Sequence, residues 1–183
     1  MAAPVRDPKQ TPVEPGWDNV DGVLVEKDMG AESDWIATEA IGFMRNFVGR
    51  GKLGRVFGQG GGYQYPALDD GRLRFPDVSF VAAEKLPNGI PHRGWLTVPP
   101  DLVVEVCSPN DEAEEVQTKV RVWLEGGARL VWVIFPASRQ IAVHRMDRTG
   151  KTLVDGDMLD GEDVLPGFTV PVGELLPPLT DAV

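Results

Sequence analysis

Pro100-Asp101-Leu102-Val103-Val104-Glu105-Val106-Cys107-Ser108-Pro109 is the stretch whose reading decides the fold. Leu102, Val103, Val104 and Val106 are apolar at both parities, as expected of a strand covered on both faces. Pro100 and Pro109 bracket the run, and neither could donate to a central ladder. Glu105 sits inside it. A lone buried carboxylate costs several kcal/mol even after relaxation, so it calls for a counter-charge, a proton or a cation.

Downstream, Ser108-Pro-Asn-Asp111 opens a helix, with Asp111 read as the N-cap and Glu114 at the capping-box position. Ala113, Val116, Val120, Trp123 and Leu124 form its apolar stripe, and Lys119 borders that stripe beside Val116 and Val120. Gly126-Gly127 ends the helix. Ala128 to Phe135 is a strand too apolar to be exposed, and Gln140 to Arg145 alternates like an edge strand. Strand 102–106, helix 111–125 and strand 129–134 have the spacing of a right-handed crossover. A further strand is expected near Lys151 to Val154.

Upstream, Ser33 or Asp34 reads as an N-cap followed by Ile36, Ala40, Phe43, Met44 and Phe47 at helical spacing, with the helix stopping at Gly49. Glu32 and Glu39 flank its stripe, the position of solvated edge residues or of an acid turned into a site. Arg45, Arg50, Lys52 and Arg55 follow with no intervening acid, as a helix C-terminus or a phosphate-contacting patch would favour. Gly58-Gln-Gly-Gly-Gly62 lacks the GK[ST] ending of a phosphate loop and reads as a turn between strands. Arg72-Leu-Arg-Phe-Pro-Asp77-Val-Ser-Phe-Val81 gives a strand, and 84–98 a loop. Gly22 to Glu26 reads as a short strand or the entry to the first helix, and residues 1–20 as a flexible tail. Residues 21–183 then form one α/β (α+β) domain, a mixed sheet flanked by helices.

The formal net charge of −10 argues against a protein that clings to nucleic acid, but the acids concentrate at the two ends and the bases in the middle. A single cysteine excludes an internal disulfide, and no run approaches a membrane span or a signal peptide, so a cytoplasmic address is expected. Cys107 reads as a small buried hydrophobe, because His92 in a loop and His144 on a strand make poor partners for a nucleophile. Those three residues also fall short of a structural zinc site.

Asp77, Glu105 and Lys119 remain. Two carboxylates on neighbouring strands suit a hard, partly hydrated cation such as Mg²⁺, and a nearby ammonium suits a developing phosphoryl charge. From spacing alone, a structural Glu105–Lys119 ion pair with Asp77 capping a turn is an equal reading.

Five segments in order carry a resemblance: Arg74-Phe-Pro-Asp77-Val-Ser-Phe-Val, Pro100 to Pro109, Lys119-Val-Arg-Val-Trp-Leu-Glu-Gly-Gly127, Leu130-Val-Trp-Val-Ile-Phe-Pro136 and Asp163-Val-Leu-Pro-Gly-Phe168. Over roughly residues 20–178 the chain resembles the Uma-two (Uma2) family of restriction endonucleases, in the PD-(D/E)xK nuclease group. The resemblance implies a restriction-endonuclease-like core that hydrolyses DNA phosphodiester bonds with Mg²⁺ or Mn²⁺. Asp77 and Glu105 would be the metal ligands and Lys119 the catalytic lysine. Many members of the group carry that lysine two residues after the second acid, where this chain has Cys107. Glu32 resembles a further acidic position of some relatives. The competing functions are a non-catalytic nucleic-acid or protein-binding domain and a phosphodiesterase for another substrate. A homodimer would suit a two-stranded target.

Overall fold

The computed structural model describes residues 17–20, 23–26, 30–109 and 111–178. Strand β5 (Leu102–Val106) is buried along its whole length, as its unbroken apolar pattern requires. Helix α2 (Ala113–Glu125) carries the chain back to β6 (Leu130–Phe135), which pairs with β5 in parallel. Every other pair in the sheet is antiparallel: β3 (Gly54–Gly58), β4 (Val78–Ala82), β5, β6, β7 (Gln140–Arg145) and β8 (Gly150–Val154) lie side by side in chain order. A separate hairpin, β1 (Trp17–Val20) and β2 (Val23–Glu26), precedes α1 (Ala31–Gly51). A last pair, β9 (Met158–Asp160) and β10 (Thr169–Pro171), closes the chain.

The two helices cover opposite faces, because neighbouring strand residues point to opposite sides. Ile36, Ala37, Ala40, Met44 and Val48 of α1 pack on Val78, Phe80, Leu102, Val104, Leu130, Trp132 and Ile134. Leu159, Leu165, Phe168, Val170 and Leu175 seal that layer. Val116, Val120 and Trp123 of α2 pack on Val81, Val103, Val131 and Val133, together with Tyr63, Tyr65 and Leu68 from the segment after β3. Two glycines are fixed by these layers. At Gly54 a Cβ would lie 2.1 Å from the Val81 carbonyl oxygen, and Gly127 turns the chain from α2 to β6 at φ +103.

Several boundaries differ from expectation. Helix α1 begins at Ala31 with Gly30 as N-cap and no side-chain cap, so neither Ser33 nor Asp34 caps it. It continues through Gly49 to Gly51 and ends on Lys52 in the left-handed region (φ 52), because packing of Met44 and Val48 outweighs the helix cost of these two glycines. Helix α2 has Glu112 at its N-cap position; Asp111 instead accepts a hydrogen bond from the Ser108 N–H at 2.8 Å, closing the turn before the helix. Strand β7 is not an edge: β8 pairs with it, and β8 is the terminal strand on that side. Residues 17–20 pair with 23–26 rather than belonging to a tail, and residues 1–16 lie outside the described residues. No helix among the described residues is long and apolar enough to cross a membrane.

Candidate active site

Strand β4 pairs with β5 so that Val78 lies opposite Val104. One residue further in that register places Asp77 opposite Glu105, with both side chains continuing the parity that faces α2. Asp77 is 6% exposed, and its Oδ2 accepts a hydrogen bond from the Val106 N–H at 2.7 Å. That N–H belongs to the peptide joining Glu105 to Val106, so Asp77 is tied to the backbone beside Glu105. Glu105 is also 6% exposed, and its Oε1 accepts from the indole N–H of Trp123 at 2.7 Å.

Lys119 lies one helical turn before Trp123, so the two share a face of α2. It is half-buried, and its ammonium acts on the Cys107 thiol together with Asp111, Glu105 and Asp77. These charges surround one point where β5 leaves the sheet. Burial, followed by the charges of Asp111 and Glu105, pushes the Cys107 thiol up to about 12; Lys119 only partly opposes this. At neutral pH the thiol is protonated and no nucleophile.

Beside Cys107 and Asp111 lies a cleft of about 260 Å³, lined also by Glu32 at the first turn of α1, Ser108 and the Phe135–Ser138 turn after β6; Asp77, Glu105 and Lys119 do not line it. Ser33 and Ser108 approach across it, their hydroxyl oxygens 3.4 Å apart. Glu32 is thus at the mouth, exposed, whereas Glu39 does not line this cleft. Arg50 and Lys52 are at the opposite end of α1. Eighteen residues separate Glu32 from Arg50, about 27 Å of helix at 1.5 Å per residue. A phosphate held beside Glu105 is out of their reach.

Asp101, the other acid of the same segment, behaves differently. Its Oδ2 accepts from the Ala82 N–H and its Oδ1 pairs with Lys85, both at 2.8 Å, at the far end of β5. It ties β4 to β5 and takes no part in the cleft. Nor does His144, which lies on β7; partial burial lowers its pKa.

Among the described residues no three His, Cys, Asp or Glu side chains are grouped closely enough to cage a metal by themselves. Asp77 and Glu105 nonetheless fit Mg²⁺, which takes one or two carboxylates and completes its shell with water and phosphate oxygens. An all-oxygen pair is the right donor set for a hard cation.

The sequence pattern of the Uma2 family, described as "Putative restriction endonuclease", matches residues 10–173. The chain belongs to the Uma2 family. Among solved structures, the Uma2 chain is similar to the crystal structure of "a putative nuclease belonging to DUF820" from Anabaena variabilis. The TM-score is 0.78 at 18% identity, covering 91% of this chain and 93% of that one. That likeness establishes the fold and nothing finer. No curated protein sequence matches.

Sequence reasoning missed Trp123, which it assigned only to the apolar stripe of α2. The available signal was chemical: a buried indole N–H usually finds an acceptor, and Glu105 was the acceptor in need of a donor.

Proposed function

We propose that this Uma2 protein is a metal-dependent endonuclease hydrolysing DNA phosphodiester bonds, with Asp77 and Glu105 holding Mg²⁺ or Mn²⁺ and Lys119 as the catalytic lysine. The observation that carries the reading is the Asp77 hydrogen bond to the Val106 N–H, which joins the two buried acids at one strand end. When bound, the cation would polarise a phosphoryl oxygen and lower the pKa of attacking water. Asp77 and Glu105 supply fixed oxygens for it. Lys119, on the α2 face that reaches Glu105, supplies a positive charge for the developing phosphoryl anion. The N-termini of α1 and α2 border the cleft, and their dipoles favour an anion there. A cytoplasmic setting suits DNA as substrate, and a homodimer would present one such site to each strand.

The second reading is a non-catalytic binding domain. It is favoured by the protein donors that both acids already have, Val106 N–H and Trp123 Nε1. Glu105→Gln separates the two. In the endonuclease reading, wild type nicks supercoiled plasmid with Mg²⁺ or Mn²⁺ and melts higher with metal than with EDTA, since a ligand that binds only the folded state stabilises it. The variant loses both responses while keeping its stability in EDTA, because the amide relieves repulsion between the acids. Absence of cleavage and of any metal-dependent shift in wild type would overturn the endonuclease. A large loss of stability in EDTA would assign Glu105 to a structural ion pair.

A further inference from the structure

Three groups on the α2 side of the sheet form a continuous buried chain. The Trp123 indole donates to Glu105 at 2.7 Å. The ring of Tyr63 packs edge-on against Trp123, with centroids 5.8 Å apart and planes at 83°. The Tyr63 hydroxyl and the Ser79 hydroxyl are 2.7 Å apart. Ser79 is on β4, two residues after Asp77, so the chain begins on the strand next to one acid and ends on the other.

We infer that Trp123 is a positioning residue that fixes the Glu105 carboxylate in the orientation a cation requires, held in turn by Tyr63 and Ser79. The inference rests on the metal-site reading above. A glutamate has three rotatable bonds, and a cation needs its oxygens aimed within a narrow cone. A hydrogen bond from a rigid indole to one carboxylate oxygen removes rotation about the last of those bonds. It is charge-assisted, and hence stronger than a bond between neutral groups. The indole itself has little freedom, since Trp123 is 3% exposed and Tyr63 is fully buried against it. Tyr63 is pinned at its far end by Ser79, which is also fully buried. A Phe or Leu would fill the α2 stripe equally well; only Trp reaches Glu105 with a donor from this position. Partners of this kind, bonded to a ligand rather than to the metal, typically change metal affinity by 10–100-fold.

The test is Mn²⁺ binding by titration calorimetry in the full chain. Trp123→Phe keeps an aromatic ring and removes the donor, and it is expected to bind Mn²⁺ about 10–100-fold more weakly than wild type. Trp132→Phe, an equal change on the opposite face of the sheet, is expected to bind as wild type. Tyr63→Phe removes the Ser79 hydroxyl contact without touching Glu105, and a loss of a few-fold is expected. It also decides the matter if Trp123→Phe does not fold. A folded Trp123→Phe with wild-type affinity overturns the inference alone, as does an unchanged Tyr63→Phe when Trp123→Phe cannot be folded. Wild type that takes up no Mn²⁺ overturns the metal-site reading, and the inference with it.

Discussion

The two faces of the six-stranded sheet each bury an apolar layer, the larger one toward α1, but they treat polarity in opposite ways. Toward α1, the packed residues of β4, β5 and β6 are Val78, Phe80, Leu102, Val104, Leu130, Trp132 and Ile134, all hydrophobic. Toward α2, the same strands bring Ser79 and Glu105 inside, with Asp77 just before β4 and Asp101 just before β5. Two tryptophans mark the difference. Trp123, on the α2 side, gives its N–H to Glu105, whereas the Trp132 N–H, on the α1 side, has no partner among the described residues. The first face holds the fold together; the second accepts polar groups for which it supplies partners. A one-residue parity decides which role a strand residue plays.

The largest effect that sharpens this contrast is a cavity on the apolar face. Ile134→Ala, at a fully buried position of the α1 layer, should destabilise the protein by about 2–5 kcal/mol in denaturant melts. The Mn²⁺ affinity of the folded fraction should be unchanged. A matching loss of affinity would mean that the two faces do not act separately.

A smaller effect comes from the tryptophans. Trp123→Phe and Trp132→Phe remove the same volume, so the difference between them isolates the hydrogen bond. Trp123→Phe leaves Glu105 short of a donor, and Trp132→Phe removes an N–H without a described partner, so the first should cost about 1–3 kcal/mol more. Equal losses in urea melts would break the comparison.

The smallest effect vanishes at neutral pH. Burial raises the ionisations of Cys107, Tyr63 and Tyr65, all on the α2 side. The folded protein therefore keeps its Cys107 proton up to about 12, while the unfolded chain loses it near the ordinary thiol value of 9.0. Above pH 9 the unfolded state binds fewer protons, so stability falls as pH rises. Cys107→Ala should flatten that decline in melts between pH 8 and 11 and leave the value at pH 7 nearly unaltered. An identical alkaline slope in the variant would remove Cys107 from the account.

Much of this organisation was legible in the residues. The doubly apolar run 102–106 specified a central strand, and the spacing of 102–106, 111–125 and 129–134 specified the crossover, observed with its helix at Ala113–Glu125 and its second strand at Leu130–Phe135. Glu105 stood out because an acid in that run demands a partner. What could not be read was which partner. Lys119 and Trp123 lie four residues apart on one helix face, and periodicity treats them as equals. The caps failed for a related reason: Asp111 and Ser33 are sound capping residues, but Asp111 closes the turn at Ser108 and Ser33 meets the Ser108 hydroxyl. The basic residues Arg45, Arg50, Lys52 and Arg55 read as a helix C-terminus or as a phosphate-contacting patch. The helix places Arg50 and Lys52 at the other end of the sheet, a distance that only three dimensions reveal.

The last strand of the sheet bears on how these molecules behave when crowded. Among the described residues strand β8 has a neighbour on one side only, and an unpaired edge is a template for chain-to-chain pairing and aggregation. Lys151 lies within it, its ammonium 3.0 Å from Asp160 and 3.5 Å from Glu162. These contacts anchor a charge beside the edge, where a second strand would have to dock. Gly150, at the start of β8, packs its little β-propensity against the Val143 carbonyl, where a Cβ would come within 2.8 Å. A short edge with a weak first residue and an anchored lysine is a poor seed for fibres.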